Sequence, residues 1–529
     1  MSTNMHAQAR GDNPSPLAIS LQNISKNFGA VQANKNVSLS VRPGAIHGIV
    51  GENGAGKSTL VSILYGFYTA DSGEVSIAGQ PVKLRSSADA IAAGIGMVHQ
   101  HFMLVPNFTV LENIILGHEG GFDLNAGQQQ AKASLQKIAD QYGLSVDLSA
   151  VVQDLPVGLQ QRVEILKALY RGARVLILDE PTGVLTPQET EQLFDILRTL
   201  QQQGVTVLLI THKLKEIMAV TDFVSVMRSG EMVDHLRTED TTPQQLAELM
   251  VGRPVLLDVG YAAAEAGHAV LTAEHLSVTG ASGVQHVRDL SFAVHQGEIL
   301  GIAGVSGNGQ SELLDVLAGI RPVASGSIQL GGRQITADQP ASPSEVKSLG
   351  LAHVPEDRHA VGLVLPFSAA ESAVLGYEYA DPMGGSQISL SPQQMEQHCQ
   401  RLMADYDIRP ANPKLKSNLF SGGNQQKIVL ARELSSQPDI LLIGQPTRGV
   451  DIGAIEFIHK QLLALRDQGC AVILVSVELD EIMSLSDRIM VMNEGRNMGI
   501  VRRADTDIQQ IGLMMAGVDT PPEQTGKAR

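Results

Sequence analysis

The chain has 529 residues, 43 % hydrophobic and 18 % charged, enough for roughly two to four packed domains and too apolar for a disordered protein. With 39 basic and 55 acidic residues the net charge is −16, which argues against broad nucleic-acid binding. Cys399 and Cys470 cannot staple a chain of this size or supply a zinc-ligand spacing, so they are expected as free thiols in a reducing cytoplasm.

Residues 1–17 read as a polar, disordered tail without the apolar stretch of a signal peptide. No apolar run further on approaches the roughly 18 residues of a membrane-spanning helix. Val37–Val41 and His47–Val50 are strand-like, and the Gly-rich turn after them runs into a helix near Lys57–Phe67. Gly51-Glu-Asn-Gly-Ala-Gly-Lys-Ser58 fits GxxxxGK[ST] in that strand-to-helix setting. Glycines at 51, 54 and 56 let backbone N–H groups wrap a β-phosphate. Lys57 then reaches the β/γ-phosphates, and the Ser58 hydroxyl offers one Mg²⁺ position. A Gly-rich turn with an exposed lysine is the plainer reading, but the next motif overrules it.

Arg174–Asp179 and Val205–Ile210 are short apolar runs of the kind buried parallel strands need. The first ends in Asp179 and Glu180, two carboxylates whose burial costs free energy unless a cation compensates. Mg²⁺ held through Asp179 would compensate, leaving Glu180 to activate an attacking water. Lysine loop and paired acids together point to nucleotide hydrolysis. Pro187–Gln203 reads as a helix with Thr186 as its N-cap and proline first. This alternation argues for an α/β sandwich around a mostly parallel sheet. Pro254–Ala269 lacks a periodic face and reads as a linker between domains at 18–253 and 270–518, followed by a polar tail at 519–529.

The two domains are copies. Gly51–Thr59 recurs as Gly304–Glu312, an offset of 304 − 51 = 253. Leu176–Thr182 recurs as Leu441–Thr447, and Leu249–Gly252 as Met514–Gly517, both at an offset of 265. Segments in one order at nearly one offset make the chain a tandem duplication.

Further motifs carry a resemblance. Lys-Asn-Phe28-Gly, Gly-Met-Val-His-Gln100, Leu-Leu-Ile-Thr-His212 and Phe420-Ser-Gly-Gly-Asn-Gln-Gln426 stand in the order found in nucleotide-binding subunits of ATP-binding cassette (ABC) transporters. The chain resembles that family over nearly all of residues 18–518. The resemblance implies two tandem P-loop domains, each a mostly parallel β core with a helical subdomain and an antiparallel β subdomain. It implies that Phe28 stacks on adenine, that Asn53 and Thr59 complete the phosphate loop, and that Gln100 contacts Mg²⁺ and senses the membrane domain. Lys57, Glu180 and His212 would carry catalysis, with His212 bridging to the γ-phosphate. Ser421, Gly422, Gly423 and Asn424 would bind the same ATP in trans, where glycines at a helix N-terminus suit a phosphate.

The copies differ in their chemistry. Gln310 replaces Lys57 in a loop that keeps Gly304, Gly309 and Ser311, while Gly444 and Gln445 replace Asp179 and Glu180. Val477 replaces His212, Glu356 replaces Gln100, and Gly280 aligns with Phe28. In the first copy the damage lies elsewhere, in the signature, which reads Leu155-Pro-Val-Gly-Leu159. Pro156 removes an N–H and Val157 a conformationally free glycine. Because the family sandwiches ATP head to tail, the resemblance implies one competent composite site and one degenerate one, both within this chain. Thr186 stands at the usual D-loop aspartate, which survives as Asp451 in the second copy.

The implied function is an ATPase on the cytoplasmic face of the plasma membrane, energising import through two separate transmembrane permease subunits. A substrate-binding lipoprotein or periplasmic protein would supply the cargo, and nucleic acid would play no part. His101-Phe-Met-Leu-Val-Pro106, with side chains suited to an irregular groove, should meet a permease. His101, Gln310 and Val354-Pro-Glu-Asp-Arg358 resemble the nucleoside branch of the family more than the ribose and galactose branch. A soluble tandem cassette acting on ribosomes or DNA fits less well, because such proteins usually carry a long charged linker or cysteine clusters.

Overall fold

The computed structural model describes residues 16–29, 31–99, 102–118, 124–183, 185–255, 260, 266–280, 283–305, 307–378, 390–448, 450 and 452–518. The chain divides into two compact units, residues 1–183 with 189–254 and residues 184–188 with 255–529. Residues 1–15 of the expected tail at 1–17 and the whole of that at 519–529 lie outside the described residues, as do 256–259 and 261–265 of the expected linker.

The strands of the first unit are β1 (Ile19–Phe28), β2 (Val31–Val41), β3 (Ile46–Gly51), β4 (Ser72–Ile77), β5 (Gln80–Val82), β6 (Ile95–Val98), β7 (Val175–Asp179), β8 (Thr206–Ile210), β9 (Phe223–Arg228) and β10 (Glu231–Arg237). Its helices are α1 (Lys57–Leu64), α2 (Ser87–Ala92), α3 (Val110–Ile115), α4 (Leu124–Tyr142), α5 (Val157–Tyr170), α6 (Pro187–Gln202), α7 (Leu214–Val220) and α8 (Pro243–Val251). A six-stranded sheet runs β10-β9-β3-β8-β7-β6, parallel except for the β9–β10 hairpin, beside an antiparallel sheet β2-β1-β4-β5. The runs Ile-His-Gly-Ile-Val-Gly, Val-Leu-Ile-Leu and Thr-Val-Leu-Leu-Ile are buried throughout, as central parallel strands require. Leu60 and Leu64 of α1 pack with Ile24, Val37, Ile49, Ile177 and Leu208, so one core joins the two sheets. The helix expected to reach Phe67 ends at Leu64, because Gly66 turns into the left-handed region and the Phe67 N–H folds back to Ser62 O.

The second unit repeats the plan with β11 (Ala269–Thr279), β12 (Gln285–His295), β13 (Ile299–Ala303), β14 (Ser325–Leu330), β15 (Arg333–Thr336), β16 (Leu351–Val354), β17 (Ile440–Gly444), β18 (Ala471–Ser476), β19 (Arg488–Asn493) and β20 (Arg496–Arg502). Its helices are α9 (Gln310–Leu317), α10 (Pro343–Ser348), α11 (Ala369–Ser372), α12 (Pro392–Asp405), α13 (Gly422–Leu434), α14 (Ile452–Asp467), α15 (Leu479–Leu485) and α16 (Ile508–Met515). Its sheets run β20-β19-β13-β18-β17-β16 and β12-β11-β14-β15, the same two orders. Even the caps recur: Thr109 with Glu112, and Ser368 with Glu371, close capping boxes on α3 and α11. β11 begins at Ala269, the last residue of the expected linker, and Val255 at the other end is buried.

The register also exposes a buried difference between the copies. His47 Nε2 lies 2.7 Å from Ser225 Oγ, which lies 2.7 Å from His235 Nδ1. The matching register in the second unit places Leu300, Met490 and Ile500 at these positions. Burial, aided by the charge of His235, pushes His47 down from 6.5 to about 4. The unfolded chain therefore takes up a proton between those limits that the folded chain refuses. Stability is full above pH 6.5 and falls as pH drops toward 4, by about 3 kcal/mol for this residue. Urea midpoints followed by circular dichroism should decline over that range, and the triple replacement His47→Leu, Ser225→Met, His235→Ile should flatten the decline. An unchanged slope would contradict the assignment.

Candidate nucleotide site

Strand order brings the motifs together. With β8 between β3 and β7 in a parallel sheet, the turns after all three strands open at one edge. Those turns carry Gly51–Gly56, Asp179–Glu180 and Thr211–His212, which places the site where open α/β sheets bind ligands.

The phosphate loop is shaped by its glycines. Gly54 and Gly56 take φ of 82° and 98°, and a Cβ on Gly56 would lie 2.3 Å from Ala33 O. Buried Asn34 ties the loop to β2 by donating from Nδ2 to Gly56 O at 3.1 Å. Lys57 opens α1 and is 6 % exposed. Its Nζ donates to Gly51 O at 2.6 Å and Glu52 O at 3.0 Å, so the ammonium lies across the loop. Asn53 and Ser58 are exposed, and Thr59 is half-buried.

The two acids are electrostatically unequal. Burial, then the neighbouring Glu180 charge, pushes Asp179 up to about 6 despite Lys57. Glu180 is held below the usual range, chiefly by His212, whose Nδ1 lies 3.0 Å from Glu180 Oε1. Such a split separates roles: Glu180 stays ionised and so able to accept a proton, while the Lys57 charge alone does not offset the burial of Asp179. That shortage, beside the exposed Ser58 hydroxyl, fits a divalent cation. Glu180 sits at φ 47°, a strained setting for a residue with a side chain.

Phe28 ends β1, 43 % exposed, with Tyr68 edge-on at 5.1 Å and Lys26 Nζ 5.6 Å from the ring centroid. Gln100 and His101 lie outside the described residues. A groove of about 260 Å³ is lined by Tyr65, Phe67, His99, Met103, Glu164 and Lys167, among others. Lys167 Nζ donates to Met103 O at 2.8 Å, leaving the Met103 side chain 61 % exposed.

The second unit keeps this backbone with other side chains. Gly307 and Gly309 take φ of 91° and 94°, and Gln445 takes 48°, matching Gly54, Gly56 and Glu180. Gln310 is buried against Gly304, whose added Cβ would meet its amide at 2.3 Å. Gln445 Oε1 accepts from the Val477 N–H at 3.3 Å, where Glu180 has His212. Glu356 occupies the space vacated at Gly444, within 2.4 Å of where a Cβ would stand, and accepts from the Ser311 hydroxyl.

The signature loops differ as well. Ser421 caps α13, accepting from Asn424 N at 3.4 Å and Asn424 Nδ2 at 2.8 Å, so Gly422 and Gly423 form its first turn. Pro156 stands at the same place before α5 and makes no side-chain cap.

The sequence profile of the ABC transporter family matches residues 34–183 and 287–448, both phosphate loops and both strand-end acid positions included. The chain belongs to the ABC transporter family. It is 46 % identical over 94 % of its length to the nucleoside import ATP-binding protein NupA of Lactococcus lactis, covering 98 % of that protein. A guanosine import ATP-binding protein of Bacillus subtilis is 46 % identical, with 96 % of this chain and 99 % of that one aligned. A glucose import ATP-binding protein of Haloferax volcanii is 44 % identical, covering 94 % of this chain and 95 % of that one. An archaeal ribosome recycling factor, solved with a ribosomal stalk protein, superposes over 91 % of this chain and 90 % of that one with a TM-score of 0.57. At 20 % identity that likeness speaks for the fold alone. This chain is thus an ATP-binding ATPase of tandem cassettes, and no helix among its described residues is long and apolar enough to cross a membrane.

Sequence reasoning passed over Glu216, Thr182 and Thr211. All three recur in the second copy, as Glu481, Thr447 and Ser476 at the offset of 265. That recurrence beside the motifs was the available signal.

Proposed function

We propose that this chain energises a nucleoside importer, lying on the cytoplasmic face of the inner membrane and driving two permease subunits fed by a substrate-binding lipoprotein or periplasmic protein. The observation that carries the ATPase half is the first unit's cluster of Lys57, Asp179, Glu180 and His212 set against Gln310, Gly444, Gln445 and Val477 on the same backbone. One composite site hydrolyses ATP and the other does not. Phe28 stacks on adenine, and the loop Gly51, Asn53, Gly54, Gly56, Lys57, Ser58 and Thr59 wraps the phosphates. Ser58, Asp179 and Gln100 would hold Mg²⁺, which would neutralise phosphate charge. Glu180 takes the proton of the attacking water, and His212 keeps Glu180 ionised. Ser421, Gly422, Gly423 and Asn424 meet the same nucleotide from the second copy. The groove beside Met103 receives a permease, since Phe67 and Met103 in its lining are exposed and Lys167 and Arg171 stand among them.

The cargo rests on kinship with nucleoside and guanosine import proteins. The glucose import relative at 44 % identity supplies the second reading, a simple sugar. Deleting this chain should abolish uptake of labelled purine nucleoside and leave glucose, ribose and galactose uptake intact. Loss of sugar uptake with nucleoside uptake preserved would transfer the chain to the sugar branch.

A further inference from the structure

Two loops must hold still for Glu180 and His212 to stay 3.0 Å apart. One is the turn after Glu180, and the other is the residue before His212. Both end on one carboxylate. Buried Glu216, in the first turn of α7, accepts from the Thr182 hydroxyl through Oε1 and from the Thr211 hydroxyl through Oε2 at 3.1 Å. Thr182 follows Glu180 by two residues, and Thr211 immediately precedes His212.

We propose that Glu216 is a positioning residue for hydrolysis, clamping the base loop to the histidine loop so that Glu180 and His212 stay in register. The proposal rests on the reading of Glu180 and His212 as the reacting pair. A carboxylate is the one side chain that can accept from two hydroxyls at once without offering a competing proton. Thr211 is held twice in the clamp, because its Oγ1 also accepts from the Lys213 N–H at 3.0 Å while donating to Glu216. The turn carrying Thr182 is held a second time, where buried Gln161 donates to Pro181 O at 2.9 Å.

The second copy supplies the contrast. Its hydroxyls survive as Thr447 and Ser476, yet Glu481 turns to His459, 3.0 Å away, and its Oε2 has no hydrogen-bond partner. At the position of His459 the first copy has Phe194, which offers the carboxylate nothing. The clamp therefore closes where Glu180 and His212 exist and is open where Gln445 and Val477 replace them.

The test is steady-state phosphate release by the full chain with its permeases, over a range of ATP concentrations. Glu216→Gln keeps the size but must offer a proton where one is already donated. It should lower kcat about 10- to 100-fold, since small misplacements of reacting groups cost that much, with KM for ATP held within about twofold. In a His212→Ala background the same change should cost nothing further, because the clamp acts through the pair. Should Glu216→Gln fold poorly, Thr182→Val should reproduce the loss and Thr182→Ser should restore activity. Glu481→Gln should leave kcat within about twofold. A raised KM with unchanged kcat, or a full additional loss in the His212→Ala background, would overturn the clamp. Near-normal hydrolysis by Glu180→Gln in the same assay would instead overturn the reading of the pair.

Discussion

Glu180→Gln should bind ATP as the native chain does and hydrolyse it about a thousandfold more slowly, the scale expected for loss of a general base. The amide cannot take a proton from water, while Asp179, Lys57 and the loop glycines are untouched. Folding is not the obstacle. Gln445 already occupies the equivalent position at φ 48° against 47° for Glu180, so the strained backbone tolerates a glutamine. The electrostatics point the same way. The His212 hydrogen bond holds Glu180 ionised, and that charge in turn is the second cause of the raised Asp179. Removing it should return Asp179 toward the ordinary carboxylate range, a change visible as an altered acid limb of any residual activity. Phosphate release and equilibrium binding of labelled ATP, measured side by side, decide the matter. Near-normal release would mean that another residue activates the water.

Much of this site was legible before the fold. The phosphate loop, the paired acids and the histidine each follow a strand, and their chemistry is local: a glycine whose φ must be positive, a lysine beside it, two carboxylates at the end of an apolar run. The duplication made the α/β plan legible twice, so errors at helix ends, as at Gly66, stayed small. Other features depend on pairings no linear reading supplies. Glu216 meets Thr182 across 34 residues, and His47 meets Ser225 across 178, through sheet register rather than spacing. Glu356 was aligned with Gln100, but its side chain also fills the space left at Gly444. Alignment matches positions along a chain, whereas burial matches volumes, and here one side chain replaces features of two.

Ser421→Arg, at the N-terminus of α13 in the second copy, should lower hydrolysis at the first copy's site by about a hundredfold, the usual cost of losing an aimed donor. The two α13 and α5 termini define what is at stake. Ser421 sits extended at φ −62° and ψ 157° with its hydroxyl turned into the first turn, followed by two glycines whose N–H groups begin the helix. N–H groups so placed at the positive end of a helix suit the seat of an anion. At α5 the same seat has Pro156, without a side-chain cap, and then Val157, 38 % exposed, where the glycine would be. In the head-to-tail pairing proposed above, only the α13 terminus faces a complete phosphate loop. Arginine there removes the cap, worth about 1 kcal/mol, too little to unfold a domain built on a core this size. Its bulk and charge instead fall where the γ-phosphate of the first site should lie. Pro156→Arg, made on the already altered terminus, should cost less than about threefold in the same assay. Comparable losses from both substitutions would mean that the two sites share the hydrolysis, and a normal rate for Ser421→Arg would place the second copy's signature outside the active site altogether.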